Sequence, residues 1–170
     1  TDTAGGLYVG PESAGAAPGP ACYDRGGKRP TVTDANVTLG RIDPLHFLGG
    51  AMRLNTTAAQ QAVTRDVAVP LKLDLEETAE GITQIAIAHM ASAIRLSLFE
   101  KGLDPEDFAL VSFGGAGGLH ACDTAAELDI KQVIFPSDPG TLSAWGMLYA
   151  DIAHDLTSAQ LMNADAGAKE

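Results

Sequence analysis

The sequence predicts an α/β fold with a loop-rich front, and three observations carry that expectation. The last third of the chain alternates apolar, strand-length runs with helical stretches. A long segment over residues 75–101 repeats apolar side chains at helical spacing. The 19 Gly and 9 Pro residues crowd toward the first fifty positions, where regular elements are hard to sustain.

Residues 7–9 are a short strand candidate halted by Pro11. The stretch from Ser13 to Tyr23, with Ala-Gly-Ala-Ala-Pro-Gly-Pro-Ala inside it, makes neither helix nor ladder, because Gly supplies unusual φ values and Pro removes donors. Gly26, Gly27 and Pro30 prolong the loop. Thr31, Val32 and Thr33 read as β-like, and Asp34 as the N-cap of a short helix over 35–39 that Gly40 ends. Asn55, Thr56 and Thr57 cap a second helix over 58–66, and Pro70 breaks the chain before Leu71. Asp74 has Glu77 three residues on, the capping-box spacing with Asp in the Ser/Thr role. The helix over 75–101 is about 40 Å long. Ile82, Ala86, Met90, Ile94 and Leu98 recur at steps of four with Ile85 and Ala93 beside them, giving a wide apolar face. Gly102 and Pro105 stop it. Residues 108–113 and 132–135 read as strands and 119–128 and 143–152 as helices, an order that argues for a parallel pair. The polar tail after Asn163 reads as disordered. No internal repeat is visible.

Composition narrows the function. Hydrophobic residues at 45% against 19% charged supply material for a core. The net charge of −11, with no stripe of Lys and Arg, leaves no footprint for a phosphate backbone, so no nucleic-acid partner is expected. A nucleotide is still admissible, because backbone N–H groups and a metal ion can hold phosphates. Cys22 and Cys122 stand far apart without CxxC spacing and read as reduced thiols of a cytoplasmic protein. No run of 18 apolar residues exists, so no membrane partner is expected. The first six residues lack the basic-then-apolar layout of a signal peptide. There is no initiator Met, and residues 2–10 read like a hairpin entered midway, so the chain is expected to be a piece of a longer protein.

The most informative stretch runs from Leu110 to Ala121. An apolar strand enters a turn made of Gly114, Gly115, Ala116, Gly117 and Gly118, and a helix opens near His120. Without Cβ atoms a backbone can approach a ligand closely, and a helix start adds N–H donors and a positive dipole end. The turn is neither GxGxxG nor a Walker A loop. Two readings stand at this point, a nucleotide cradle and a tight strand–helix connection. A second Pro/Gly loop, from Pro136, leads into the small residues Ser143, Ala144 and Gly146, suited to close helix approach or simply to an ordinary helix. Asp34 and Asn36 are candidates for polar contact with substrate or partner, against a plain capping role. Cys22 has no visible base to activate it and reads as a structural thiol. His46, His89 and His154 read as surface or packing residues, and no His/Cys/Asp group has metal-ligand spacing.

Four stretches, in order, resemble the hydantoinase A/5-oxoprolinase family. The first is Val9-Gly10-Pro11-Glu12-Ser13-Ala14-Gly15-Ala16-Ala17-Pro18-Gly19-Pro20-Ala21-Cys22-Tyr23. The second is Pro30-Thr31-Val32-Thr33-Asp34-Ala35-Asn36 with Leu39-Gly40-Arg41. The third is Phe113-Gly114-Gly115-Ala116-Gly117 with His120-Ala121, and the fourth Pro139-Gly140 with Ser143, Ala144 and Gly146. The resemblance covers roughly residues 5–156. It implies a portion of an actin-like ATPase fold of the hexokinase and Hsp70 type, whose two lobes clamp ATP and Mg. It implies that Gly114, Gly115, Ala116, Gly117, Gly118 and His120 face the adenosine side of ATP. The chain then divides into a Gly/Pro-rich irregular segment of loops and short helices over 1–66, a nucleotide-binding lobe piece over 67–156 and a tail over 157–170. The activity implied is ATP-dependent hydrolysis of a cyclic amide such as a hydantoin or 5-oxoproline. The alternatives are a subunit of an ATP-dependent ketone carboxylase and a non-catalytic assembly piece that binds a partner subunit or itself. The chain departs from the family pattern in lacking the phosphate-side motifs, so alone it is expected to be inactive, and it has Gly118 where many relatives have Pro.

Overall fold

The computed structural model describes residues 5–151, 153 and 155–157. The tail expected over 157–170 lies outside them apart from Thr157.

Helix α1 (Val32–Thr38) starts from Thr31, whose hydroxyl accepts from the Asp34 N–H while the Asp34 carboxylate accepts from the Thr31 N–H. Asp34 is therefore the third helical residue of a reciprocal capping box and not the N-cap expected from the sequence. The β-like reading of Thr31 to Thr33 gives way for the same reason. The short-range pairing of these two side chains with the backbone outweighs the β-branched propensity of Val32. Helix α2 (Thr56–Val63) is capped by Asn55, which accepts from the Ala58 N–H. Pro70 does not interrupt the chain as expected. A π-helical stretch (Thr64–Ala68) and a last helical turn, α3 (Val69–Leu71), carry the backbone through it. Pro70 sits at the start of α3, and the widened π turn relieves the clash with the carbonyl four residues back. Lys72, at φ 58°, ends the run.

Helix α4 (Leu75–Phe99) begins at Asp74, which accepts from the Glu77 N–H. Its buried residues are Thr78, Ala79, Ile82, Thr83, Ile87 and Ala91. Of the row expected from the sequence only Ile82 is buried. Ala86, Met90, Ile94 and Leu98 are half-buried and Ala93 is exposed. Ala79 and Ala91 are fully buried, so the deepest packing lies beside the most apolar stripe rather than on it. By length and composition α4 could also cross a membrane. Here its buried face packs on α1, α2 and α5, while Glu76, Glu77 and Arg95 stand exposed.

Strands β1 (Leu110–Val111) and β2 (Val133–Ile134) pair in parallel, Leu110 with Val133 and Val111 with Ile134. Helix α5 (Ala121–Glu127) forms the crossover, and α6 (Leu142–Met147) comes after β2. The strands are shorter than the apolar runs that announce them, though Ser112 still donates to the Ile134 carbonyl at 2.9 Å. Residues 7–9 form no strand; Leu7 and Val9 pack onto the core.

Three clusters make that core. Ala35, Val63, Val67, Ala79 and Ile82 join α1, α2 and α4. Cys22, Val37, Leu54 and Ala59 seat the front loop. Ala91, Ala125, Leu128 and Ile130 join α4 and α5 beneath Leu110 and Val133. Helix α4 thus runs from the first cluster to the third. The front contributes α1 and α2 to the first two clusters, and the π stretch runs unbroken through residues 66 and 67. Its loop is packed tightly enough that a Cβ on Gly27 would collide with the Gly19 carbonyl oxygen. The other side of the sheet is bare, with Val111, Phe113 and Ile134 about half exposed. Trp145, Met147, Leu148 and Tyr149 are more exposed still.

Candidate functional site

In a parallel sheet the loops that leave the carboxyl ends of the strands converge on one edge, where α/β proteins bind ligands. Here those loops are the Gly-rich turn after β1 and the Pro/Gly loop after β2. They are joined directly: the Gly114 N–H donates to the Pro139 carbonyl at 2.8 Å. Gly114 sits at φ +89°, a conformation that side chains rarely adopt, and this bends the chain back toward the second loop. A Cβ at Gly114 or Gly115 would meet nothing within 4 Å. The inner half is closer packed, with a Cβ at Gly117 coming 3.5 Å from Ser112 Oγ and one at Gly118 3.8 Å from the Phe135 ring. The Gly115 and Ala116 N–H groups have no protein acceptor among the described residues. The turn is therefore open outward and supported inward. Helix α5 starts only at Ala121, after a 3-10 turn (Gly117–Leu119), and has seven residues, so the turn's own backbone and not a helix end forms the open surface.

His120 lies directly behind this turn and faces inward, 7% exposed. Its Nε2 lies 3.2 Å from Asn36 Nδ2, and its Nδ1 has no protein partner among the described residues. Burial, and next the nearby Arg41 guanidinium, push its pKa below the ordinary histidine value, with Asp123 opposing. The ring is accordingly neutral. Asn36, 1% exposed, also donates from Nδ2 to the Val32 carbonyl at 2.9 Å. Asn36 Oδ1 and Thr124 Oγ1 are buried without protein partners among the described residues. At the surface, Arg41 pairs with Asp123 at 2.9 Å, a second link from the end of α1 to α5.

Asp34 is fully buried and already committed. Its carboxylate accepts from the N–H groups of Ala21, Cys22 and Thr31 and from the Thr31 hydroxyl. It anchors the front loop onto α1, with its carboxylate turned to the backbone of residues 21, 22 and 31. Cys22 is buried too. Burial first, then the Asp34 carboxylate, push the pKa of its thiol up, which favours the protonated form. Among the described residues no three His, Cys, Asp or Glu side chains converge to hold a metal.

Sequence reasoning thus located the turn and missed its partner. The Pro139 carbonyl could have been suspected from two Gly/Pro loops each coming after an apolar strand. The contact between Asn36 and His120, 84 residues apart, left no local signal.

A helix-rich α/β unit with an open glycine turn at the carboxyl edge of a parallel strand pair is the module that the fold and site define. The particular module is given by comparison: a profile of the hydantoinase/oxoprolinase family matches residues 1–156, and the chain belongs to that family. It is 44% identical over 164 residues to the caprolactamase subunit alpha of Pseudomonas jessenii, covering 96% of this chain and 24% of that relative. The crystal structure of the ATP-dependent caprolactamase from Pseudomonas jessenii superposes with a TM-score of 0.83 at 45% identity, over 89% of this chain and 22% of that one. A nucleotide-free acetone carboxylase structure, from work on ATP-dependent acetone carboxylation, superposes with a TM-score of 0.78 at 31% identity, over 86% of this chain and 21% of that one. The chain therefore spans about a quarter of the length of these relatives.

Proposed function

We propose that this chain supplies the adenosine side of the ATP site in a longer, cytoplasmic, ATP-dependent enzyme that opens cyclic amides. One observation carries the reading: Gly114 and Gly115 leave open space at the carboxyl edge of β1 and β2, pinned in place by the Pro139 carbonyl. The unpaired Gly115 and Ala116 N–H groups are donors for a ring nitrogen or a phosphate oxygen there. Gly117 and Gly118 belong to the supporting half of the turn. His120 serves from behind it and does not touch the nucleotide. Asn36 acts in the same supporting way.

ATP, when bound, supplies the phosphoryl group that makes an amide oxygen a leaving group. This chain's share is to bind and orient the nucleoside end; a uniform binding role of this kind lowers the nucleotide's dissociation constant without itself forming bonds. Mg would be held elsewhere in the enzyme, since no carboxylate cluster stands among the described residues. The actin-like two-lobed architecture belongs to the same proposal, with this chain as part of one lobe. The bare side of the sheet, at Val111, Phe113 and Ile134, is then where the rest of the enzyme or a partner subunit packs.

The test is photo-crosslinking of the whole enzyme with an azido-adenine ATP analogue, with subsequent peptide mapping. Label protected by ATP is expected in the peptide containing residues 112–119. Protected label confined to other peptides would sink the proposal.

A further inference from the structure

Asn36 Nδ2 stands 2.9 Å from the Val32 carbonyl oxygen and 3.2 Å from His120 Nε2. A carbonyl oxygen only accepts, so the Asn36 atom between them must be the amide nitrogen. Its two N–H bonds are then both committed, one to Val32 and one to His120. His120 Nε2 has to accept, and the proton of the neutral ring has to sit on Nδ1. The reversed amide would set two oxygens against each other at Val32. It would also leave a buried NH2 group with no acceptor, two orphaned N–H bonds against the single Nδ1–H that the first arrangement leaves. A charged ring would aim an Nε2–H at an N–H and is excluded by the same contact.

We propose that Asn36 is a positioning residue that acts through His120 on the Gly-rich turn: it locks the imidazole as the neutral, Nδ1-protonated tautomer and thereby holds the inner end of the turn in place. The inference deepens the nucleotide reading and rests on it only for its functional consequence. The lock reaches the turn through the backbone. The His120 N–H donates to the Gly117 carbonyl at 3.2 Å, and the Thr124 N–H donates to the His120 carbonyl at 2.8 Å, so the residue is stitched to the turn on one side and to α5 on the other. At its other end α1 holds the front loop through Asp34. A single short helix therefore spans from the Gly/Pro loop to the Gly-rich turn. The Arg41–Asp123 pair bridges the same two elements at the surface, yet it cannot select a tautomer.

The experiment is a long-range proton–nitrogen correlation on the 170-residue chain labelled with 15N-histidine. His120 is expected to show a protonated Nδ1 and a bare, accepting Nε2. Asn36→Ala should convert this to a mixture of tautomers and raise hydrogen exchange at the Leu119 and His120 amides at least tenfold. Arg41→Gln should leave the tautomer as it is. Should Asn36→Ala fail to fold, Asn36→Asp is read instead: it offers an acceptor to Nε2, and the ring is expected to become protonated there. An Nε2-protonated ring in the unaltered chain overturns the proposal. So does a folded Asn36→Ala chain with unchanged exchange at the turn, or an Asn36→Asp chain that keeps the original pattern. ATP affinity of the whole enzyme is measured separately. A loosened turn with unaltered affinity defeats the nucleotide reading and leaves the positioning role standing.

Discussion

Gly115→Val is the substitution that best separates a ligand cradle from a packing turn. At Gly115 a Cβ meets nothing within 4 Å, and the backbone is outside the left-handed region. Adding a side chain there removes no contact and forces no strained φ. The entropy lost by the unfolded chain even favours the folded state by about 0.4–1 kcal/mol. Stability should therefore stay within about 1 kcal/mol of the parent. The three carbons of valine would instead stand in the open space where a nucleotide would lie against the backbone. Exclusion of one close contact of this kind is worth at least about 1.4 kcal/mol, a tenfold rise in Kd. The assay is isothermal titration of the whole enzyme with ATP, paired with thermal unfolding of the same preparation. An unchanged Kd in a protein with an unchanged melting point would refute the cradle, and so would a collapsed melting point, which would make the turn a packing point that the structure does not display.

Three further outcomes are expected. Ile82→Ala should lower stability by about 2–5 kcal/mol in urea unfolding, since Ile82 is buried in the first cluster, whereas Ala93→Ser on the exposed side should change it by less than about 0.5 kcal/mol. His120, faced by Arg41 and Asp123, has a folded-state pKa below its unfolded value, so the unfolded chain takes up the proton first. Its contribution to stability is complete above about pH 6.5 and is lost as pH falls through the depressed folded-state pKa. His120→Gln should flatten that fall by no more than about 1.4 kcal/mol per pH unit, read from unfolding at stepped pH. Light scattering on the isolated chain should show concentration-dependent association through the apolar sheet side and α6, weakened by Phe113→Lys; a strict monomer at millimolar concentration would speak against that surface.

Local chemistry was legible in the sequence wherever one turn of chain decided the outcome. Asp74 and Asn55 cap their helices because a short polar side chain next to an apolar periodic run has little else to do. The glycine turn announced itself as composition after an apolar strand. The failures share a different cause. Pro70 is carried by a π stretch whose Val67 packs against α4, a long-range contact that no propensity records. The buried stripe of α4 lies beside its most apolar row and includes the small residues Ala79 and Ala91, which hydropathy alone does not single out. Asp34 is an anchor for backbone amides 12 and 13 residues away, and Asn36 meets a histidine 84 residues away. Such pairings are set by tertiary closure, so a one-dimensional pattern contains only the residue types and not their partners.

The open half of the Gly-rich turn is built from main chain, and that has an evolutionary corollary. A pocket wall made of side chains can be rewritten by single codon changes, and its preference drifts accordingly. A wall made of amide groups keeps its chemistry through substitutions that spare the bend at Gly114, the open space at Gly115 and the bridge to Pro139. Under the proposed nucleotide role, such a wall is the part expected to stay constant between relatives named for a lactam and for a ketone.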